Sequence, residues 1–399
     1  IWKGNKETTL NTAAAVRWTN YSTSALNWYN AADPRPDYYR YLPSYYLPDA
    51  DPNTDPELYA YQEKVYNQYL DAWKHNKATR QINWDEMFRI NELNRTQYDR
   101  NPELKGHSTY ILENRHSNFT SWMFNSYINT RLTDNMSLQG GVSFNYTDGH
   151  YYKTIRSLLG GEFWRDIDNF SERDFPDNPT ILQNDLNNPN RRVKKGDKFG
   201  YDYNIRSYIA KAWLQNQITT THWDVNYGLE MSYTNFMRHG NMRNGRAPEN
   251  SYGAGKRHTF DNAALKAGAT YKINGRNYIT AHASYGTRAP LPDQAYVSPR
   301  IKDTSVTGLK SERYLSGDIS YGWNYTSFRG QITGFWTEMY DGLQKTAFYD
   351  DQYSTFMNYV MSGIRTSYKG VELGMMYKIT PALSISAAAT YSRYQYKNC

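Results

Sequence analysis

The sequence predicts an all-β protein, a transmembrane antiparallel up-and-down β-barrel, on three observations. The first is residue alternation. In Leu383-Ser-Ile385-Ser-Ala387-Ala-Ala389-Thr-Tyr391-Ser the odd positions are apolar and the even ones small or polar, and Val371, Leu373, Met375 and Tyr377 alternate with Glu372, Gly374, Met376 and Lys378. A strand sends successive side chains to opposite faces, so each such run has one apolar and one wet surface. The second is aromatic content: 39 Tyr, 11 Trp and 14 Phe make 16% of the chain, and Tyr and Trp suit membrane–water boundaries, where a ring is buried while its polar tip stays wet. The third is the alternation of connection length. Short links fall at 133–135, 218–221, 274–276, 326 and 380–382, and long ones at 30–107, 153–199, 239–257, 290–309 and 346–364. Short turns at one end and long loops at the other is the asymmetry of outer-membrane barrels; a soluble sandwich has no reason to sort loop length by parity.

The bulk numbers fit this class. Mean hydropathy is −0.87, and no apolar run reaches the ~18 residues of a membrane helix. A barrel needs none, because only alternate residues of each strand meet lipid. Cys399 is the single cysteine, which excludes a disulfide scaffold and a cysteine-built metal site. The net charge of +7 arises from 46 basic and 39 acidic residues spread along the chain. No basic stripe stands out, so no nucleic-acid partner is expected. Ile1-Trp-Lys-Gly lacks the charged start and apolar middle of a signal peptide, and the chain stops at Tyr396-Lys-Asn-Cys399, at the far end of a strand-like run. The expectation is therefore an internal piece of a longer barrel protein, residues 1–399 forming part of one barrel domain.

Taken in order, residues 8–29 read as one long strand. The excursion 30–107 has a different grammar. Its opening, Ala32-Asp-Pro-Arg-Pro-Asp-Tyr-Tyr-Arg-Tyr-Leu-Pro-Ser-Tyr-Tyr46, is too rich in proline for a central strand. Near 56–74 a helix is predicted, with Pro56 at the first helical position after Asp55 and Tyr61, Val65, Tyr69 and Trp73 at four-residue spacing. Asn83 with Glu86 three residues on has capping-box spacing, so a second helix is predicted to start there. Paired strands follow: 108–132 with 136–152, 200–217 with 222–238, 258–273 with 277–289 through Asn274-Gly-Arg276 (Asn-Gly is a strong hairpin signal), 310–325 with 327–345, and 365–379 with 383–398. That is about eleven strands. Their alternation predicts Leu373, Met375, Val225, Leu229 and Ala267 on a lipid face and Glu372, Asp224, Glu230 and Lys266 on a lumen face.

Ser284-Tyr-Gly-Thr-Arg-Ala-Pro290, Gly308-Leu-Lys-Ser-Glu312 and Tyr368-Lys-Gly-Val-Glu-Leu-Gly374 together resemble the C-terminal barrel of TonB-dependent outer-membrane receptors. The 30–107 insertion, with its Asp-Pro-Arg-Pro-Asp-Tyr-Tyr run, resembles the large receptors of this kind from Bacteroidota, as does Leu158-Leu-Gly-Gly-Glu-Phe-Trp164 through Lys195-Gly-Asp-Lys-Phe-Gly200. The resemblance implies a 22-stranded barrel, of which about half is present here, with an N-terminal plug. It implies nutrient import across the cell outer membrane energised through TonB, which engages a segment missing from this sequence. It also leaves room for a surface lipoprotein partner. Plug and TonB box are not found in these residues. A passive channel, a scaffold barrel in a larger complex and a soluble glycan-binding surface protein are the alternative readings.

Three constellations are candidates for chemistry. Asp49, Asp51, Asn53 and Asp55 set oxygens at alternate positions, as calcium loops do, but Thr54 stands where glycine and Ala60 where glutamate would be expected. Apart from this possible calcium, no cofactor is expected; the competing reading is a helix cap and a solvated acidic turn. No catalytic signature such as H-E-x-x-H or G-x-S-x-G occurs, so no enzyme is predicted. In the outward loops Tyr38, Tyr39, Tyr41, Phe163, Trp164, Arg243 and Arg246 are ligand-binding candidates, because aromatic faces with guanidinium donors suit sugars, peptides or anionic chelates. The 30–107 insertion is expected to be an ordered extracellular domain.

Overall fold

In the computed structural model, which describes residues 2–5, 7–96, 104–350 and 355–397, one antiparallel sheet of 14 strands carries most of the chain. It begins with β1 (Trp2–Asn5), β2 (Thr8–Thr19) and β3 (Ser22–Trp28) and continues, after two helices, with β4 (Tyr110–Thr133) and β5 (Met136–Ser157). The ribbon β6 (Trp164–Arg165) and β7 (Arg192–Val193) forms a separate small sheet. The main sheet resumes with β8 (Lys198–Thr219), β9 (Trp223–Gly240), the short β10 (Gly253–Ala254), β11 (His258–Lys272), β12 (Asn277–Arg288), β13 (Glu312–Asn324), β14 (Phe328–Asp350), β15 (Thr355–Thr380) and β16 (Leu383–Tyr396). Apart from β3, which pairs with β4, and β10, which pairs with β9, neighbours in sequence are neighbours in the sheet. Among the described residues the sheet is open: β1 and β16 each have one strand partner.

The chain divides into two compact units. Unit 1 holds residues 1–20, 118–150 and 203–399, and unit 2 holds 21–117 and 151–202. The expected run 8–29 is two strands, both on β4, with the break at Asn20 and Tyr21. Its register continues across the break, Thr19 opposite Phe119 and Ser22 opposite His116.

A larger difference concerns 346–364, expected as a long loop. β14 and β15 instead run on as one hairpin, paired out to Asp350 and Thr355. The ladder slips between Met339 and Gly342, where Asp341 has φ 62°, and Gly363 on the opposite strand has φ 73°. A bulge shifts the two-residue period, so the alternation loses phase there and reads as a loop.

Both predicted helices form. α1 (Pro56–His75) starts on the Asp55 carboxylate, which accepts from Leu58 N at 3.1 Å. α2 (Trp84–Thr96) starts on Asn83, whose Oδ1 accepts from Glu86 N at 3.1 Å. Glu86 turns to Arg89 at 2.6 Å rather than back to the cap, so half of the capping box is used. Unit 2 owes its interior to two clusters: Ile111, Ile155, Trp164, Val193 and Phe199 form one, and Met87, Tyr110 and Leu159 the other. The insertion 30–107 is therefore not packed alone; its α2 shares a core with residues from the 151–202 segment. Residues 97–103 of the insertion and Cys399 lie outside the described residues.

Candidate functional site

Register decides which side chains of unit 1 share a face. Leu214, Leu229, Leu265, Tyr285 and Leu315 lie opposite one another across five strands. Trp223, Tyr271, Ile279, Tyr321 and Ile332 make a second such row. Leu373 continues from Ile332 and is itself opposite Ala389. Leu229, Leu265, Ile319, Ile332 and Val371 are all exposed. A face this apolar and this continuous is far larger than the patches soluble monomers leave bare. Along β9 it is bounded by Trp223 and Tyr233, ten positions apart. At ~3.3 Å per residue and a ~40° strand tilt, ten residues span ~25 Å of height, the apolar band of a membrane barrel.

The opposite face is polar, as the alternation predicts: Asp224, Glu230, Lys266 and Glu372 fall between the apolar positions. Its charges are mostly paired. Lys211 meets Glu230 at 3.1 Å, Lys272 meets Asp224 at 2.7 Å and His282 meets Asp318 at 2.9 Å. Hydroxyl pairs fill the gaps, with Ser316 and Thr337 at 2.7 Å and Ser320 and Thr333 at 2.9 Å. Glycine admits large rings here. A Cβ on Gly322 would sit 2.2 Å from the Tyr278 ring, so only a bare backbone lets that ring lie flat on the sheet.

The buried apolar residues of unit 1 gather at the long-connection end, where Phe236, Phe260 and Tyr296 pack together. Arg238 is fully buried there; its Nε donates to Pro299 O at 2.7 Å and an Nη to Ser251 O at 2.8 Å. Asp303 accepts from Lys256 N at 2.7 Å, and its own N–H donates to Asn250 O at 2.8 Å. These bonds clasp the 241–257 and 289–311 connections into one body. Burial pushes the Asp303 carboxyl upward, against the opposing pull of the Lys256 N–H, Arg238 and His258.

The expected ligand residues do not form one cluster. In unit 2 the tyrosines make an edge-to-face chain: Tyr38 packs on Tyr39 at 4.9 Å and Tyr41 at 5.2 Å, and Tyr39 packs on Tyr45 at 5.5 Å. The chain ends with Tyr46 stacked on Tyr69 at 3.8 Å, and Trp73 of α1 donates to Tyr41 O at 2.8 Å. The hydrogen bond with Tyr69, then burial, pushes Tyr46 up to about 12. Tyr39 and Tyr45 keep exposed faces. Phe163 and Trp164 are interior instead, 5% and 1% exposed. Trp164 stacks on His107 and Arg192 covers Phe163, so they pack unit 2. In unit 1, Arg243 donates to Pro248 O at 3.0 Å and lies 3.7 Å from Glu249; Arg246 is exposed, its N–H bonded to Asn244.

The acidic turn has its oxygens occupied one at a time. Asp49 accepts from Gln62, Asp51 from Asn53 and Asp55 from Leu58 N. This is the cap and turn geometry of the competing reading, and it does not fit a calcium shell, which needs several oxygens aimed at one point. Among the described residues no three His, Cys, Asp or Glu side chains come together as a metal site. Sequence reasoning missed the buried Asn91 amide of unit 2, which bonds the backbone of Thr109, Tyr110, Leu158 and Leu159, and the Arg238 clasp, since each is built from partners distant in the chain.

No protein-family model matches the chain, and no curated protein does. Solved structures do. The chain superposes over 72% of its length on 39% of the copper transporter OprC, with a TM-score of 0.53 and 10% identity. The FrpB iron transporter from Neisseria meningitidis (F3-3 variant) gives a TM-score of 0.47 and 16% identity over 72% of this chain and 40% of that one. The ferric yersiniabactin uptake receptor FyuA from Yersinia pestis gives 0.47 and 11%, over 72% and 37%. The chain thus spans about two fifths of the solved structures it is similar to. These neighbours are transporters and an uptake receptor, not enzymes, and with the copper transporter this chain shares its fold.

Proposed function

We propose that this chain is part of the wall, with the outer loops, of a TonB-dependent transporter importing a nutrient across the cell outer membrane. The observation that carries the reading is the two-faced sheet: a continuous exposed apolar face for lipid and a polar face for an aqueous path. Shared fold with a copper transporter supports a transporter. In this reading further strands join the open edges at β1 and β16 to close a barrel of 22 strands, since edges left in lipid would strand unsatisfied backbone groups. The short turns face the periplasm and the long connections face outward. Unit 2, with the 30–107 insertion, is then extracellular, as in the Bacteroidota receptors the sequence resembles. The exposed Tyr39 and Arg246, with the half-buried Tyr38, Tyr41 and Arg243 beside them in the same connections, serve cargo capture or docking of a surface lipoprotein.

Membrane fractionation of cells expressing the full-length protein tests the first half. Release by detergent but not by high salt is expected, and release by salt alone would return the soluble surface-protein reading. Uptake assays with and without TonB test the second half. Loss of uptake without TonB is expected, whereas TonB-independent flux would identify a passive channel.

A further inference from the structure

Along β13 to β16 the apolar face of the sheet changes character at one end only. On β16 it runs apolar from Leu383 to Tyr391, ~20 Å of height at ~3.3 Å per residue and a ~40° tilt. Past that band, toward the long connections, the same face turns basic. Two-residue steps from Leu315, Val371 and Tyr391 lead to Arg313, Lys369 and Arg393, and a further step on β15 and β16 leads through Ser367 and Gln395 to Arg365 and Lys397. Between these positions and the short turns, this face of the four strands holds no other Lys or Arg.

Two acids lie among the bases. Asp341 is shared by Lys310 at 2.6 Å and Arg313 at 2.8 Å, and Glu338 meets Arg365 at 2.9 Å. The guanidinium groups of Arg313 and Arg365 lie over the Tyr340 ring, 5.5 and 4.9 Å from its centre. Lys369, Arg393 and Lys397 are exposed, and among the described residues none of them meets an acid. Six bases against two acids leave a surplus of four positive charges. The surplus is also crowded. Lys369 and Arg393 are direct ladder partners, and the Lys397 N–H donates to Arg365 O at 2.8 Å. Like charges directly opposite on a strand pair repel, and an anion seated between them relieves that repulsion.

What lies against this face at this height is the headgroup layer that borders the apolar band. Basic clusters beside a membrane-spanning segment attract anionic headgroups. Guanidinium forks match phosphate oxygens, and an ammonium adds a point charge.

We propose that the long-connection rim of β13 to β16 binds the phosphate-bearing headgroup of an outer-leaflet lipid, an inference that rests on the membrane reading above. The test is native mass spectrometry of the full-length protein in detergent. It is offered a diphosphorylated lipid A, the same lipid stripped of phosphate, or inorganic phosphate. The parent is expected to retain the phosphorylated lipid and neither of the others. Lys369→Gln combined with Arg393→Gln is expected to weaken retention about ten-fold, with detergent extraction and thermal unfolding as in the parent. Lys266→Gln, on the polar face, is expected to leave retention unchanged. Equal retention of the two lipids, inorganic phosphate bound as tightly as the lipid, or a folded double variant that retains the lipid like the parent overturns the site. Should the double variant fail to fold, the comparison of lipids on the parent and on Lys266→Gln decides. Extraction is read separately. A protein released by salt alone loses the membrane reading and the site with it, whereas one that needs detergent but ignores lipid phosphate loses the site alone.

Discussion

At the scale of single residues the molecule makes opposite demands on positions one step apart. Leu229 sits in a row of exposed apolar side chains, while Gln215, on the facing strand, lies opposite Gly228 on the polar side. An arginine at Leu229 is expected to cost about 2–4 kcal/mol near mid-membrane, whereas Gln215→Arg is expected to cost little. Reversible unfolding in lipid measures both, and equal costs would contradict the facing. A second residue-scale consequence concerns His107, 3% exposed between Tyr29 and Trp164. Burial, with Arg165 and Arg192 nearby, pushes its pKa from 6.5 down to about 3. The fold therefore holds this imidazole neutral while the unfolded chain takes up a proton below about 6.5. Stability is full above that value and falls as pH drops toward 3, by about 1.4 kcal/mol per pH unit from this group. Proteolysis of unit 2 between pH 7 and pH 5 is expected to show that loss, and His107→Phe to flatten it. A slope unchanged by the substitution would assign the effect to other groups.

At the scale of elements, α2 is anchored by one side chain. The Asn91 amide donates to the carbonyls of Tyr110, Leu158 and Leu159 and accepts from the N–H groups of Thr109 and Tyr110. Asn91→Leu leaves these buried backbone groups unpaired, at about 1–3 kcal/mol apiece where water cannot enter. Hydrogen exchange is expected to show α2 and residues 104–112 deprotected, with β11 to β16 unaffected; uniform loss across the chain would deny unit 2 its independence. Elements were also where the sequence was most and least legible. Asp55 and Asn83 marked both helix starts, because a cap is a local hydrogen bond written in adjacent residues. Strand pairs from 108–132 to 277–289 could be read because their two-residue period is unbroken. The outer half of the β14–β15 hairpin could not, since Asp341 and Gly342 shift the phase while the pairing carries on.

At the scale of the whole molecule, the pairing of successive strands followed from alternation and turn signals, but the division into units did not. Residues 30–107 read as a self-contained insertion, yet Met87 packs on Leu159, and no periodicity announces a partner some seventy residues away. Phe163 and Trp164 show the same limit: an aromatic pair in a loop looks like a binding platform until long-range packing places it inside. The binding candidates that stay exposed, Tyr39 and Arg246, are testable together. Replacing both by alanine is expected to leave detergent extraction and barrel formation unchanged while lowering cargo uptake several-fold. Normal uptake would reduce them to surface groups.

The parity of the connections has a kinetic consequence. Closing the turn at Pro381 and Ala382 joins two strands across a gap of two residues, whereas joining β3 to β4 means closing over the whole 29–109 segment. Loop-closure entropy grows as (3/2)RT ln n, so the second closure costs about 3 kcal/mol more before any contact rewards it. The short links therefore make β4–β5, β8–β9, β11–β12 and the run from β13 to β16, whose β14–β15 ladder is paired out to Asp350 and Thr355, the natural first-formed pieces. Assembly of the sheet then becomes the side-by-side joining of ready-made hairpins, with unit 2 the last segment able to settle.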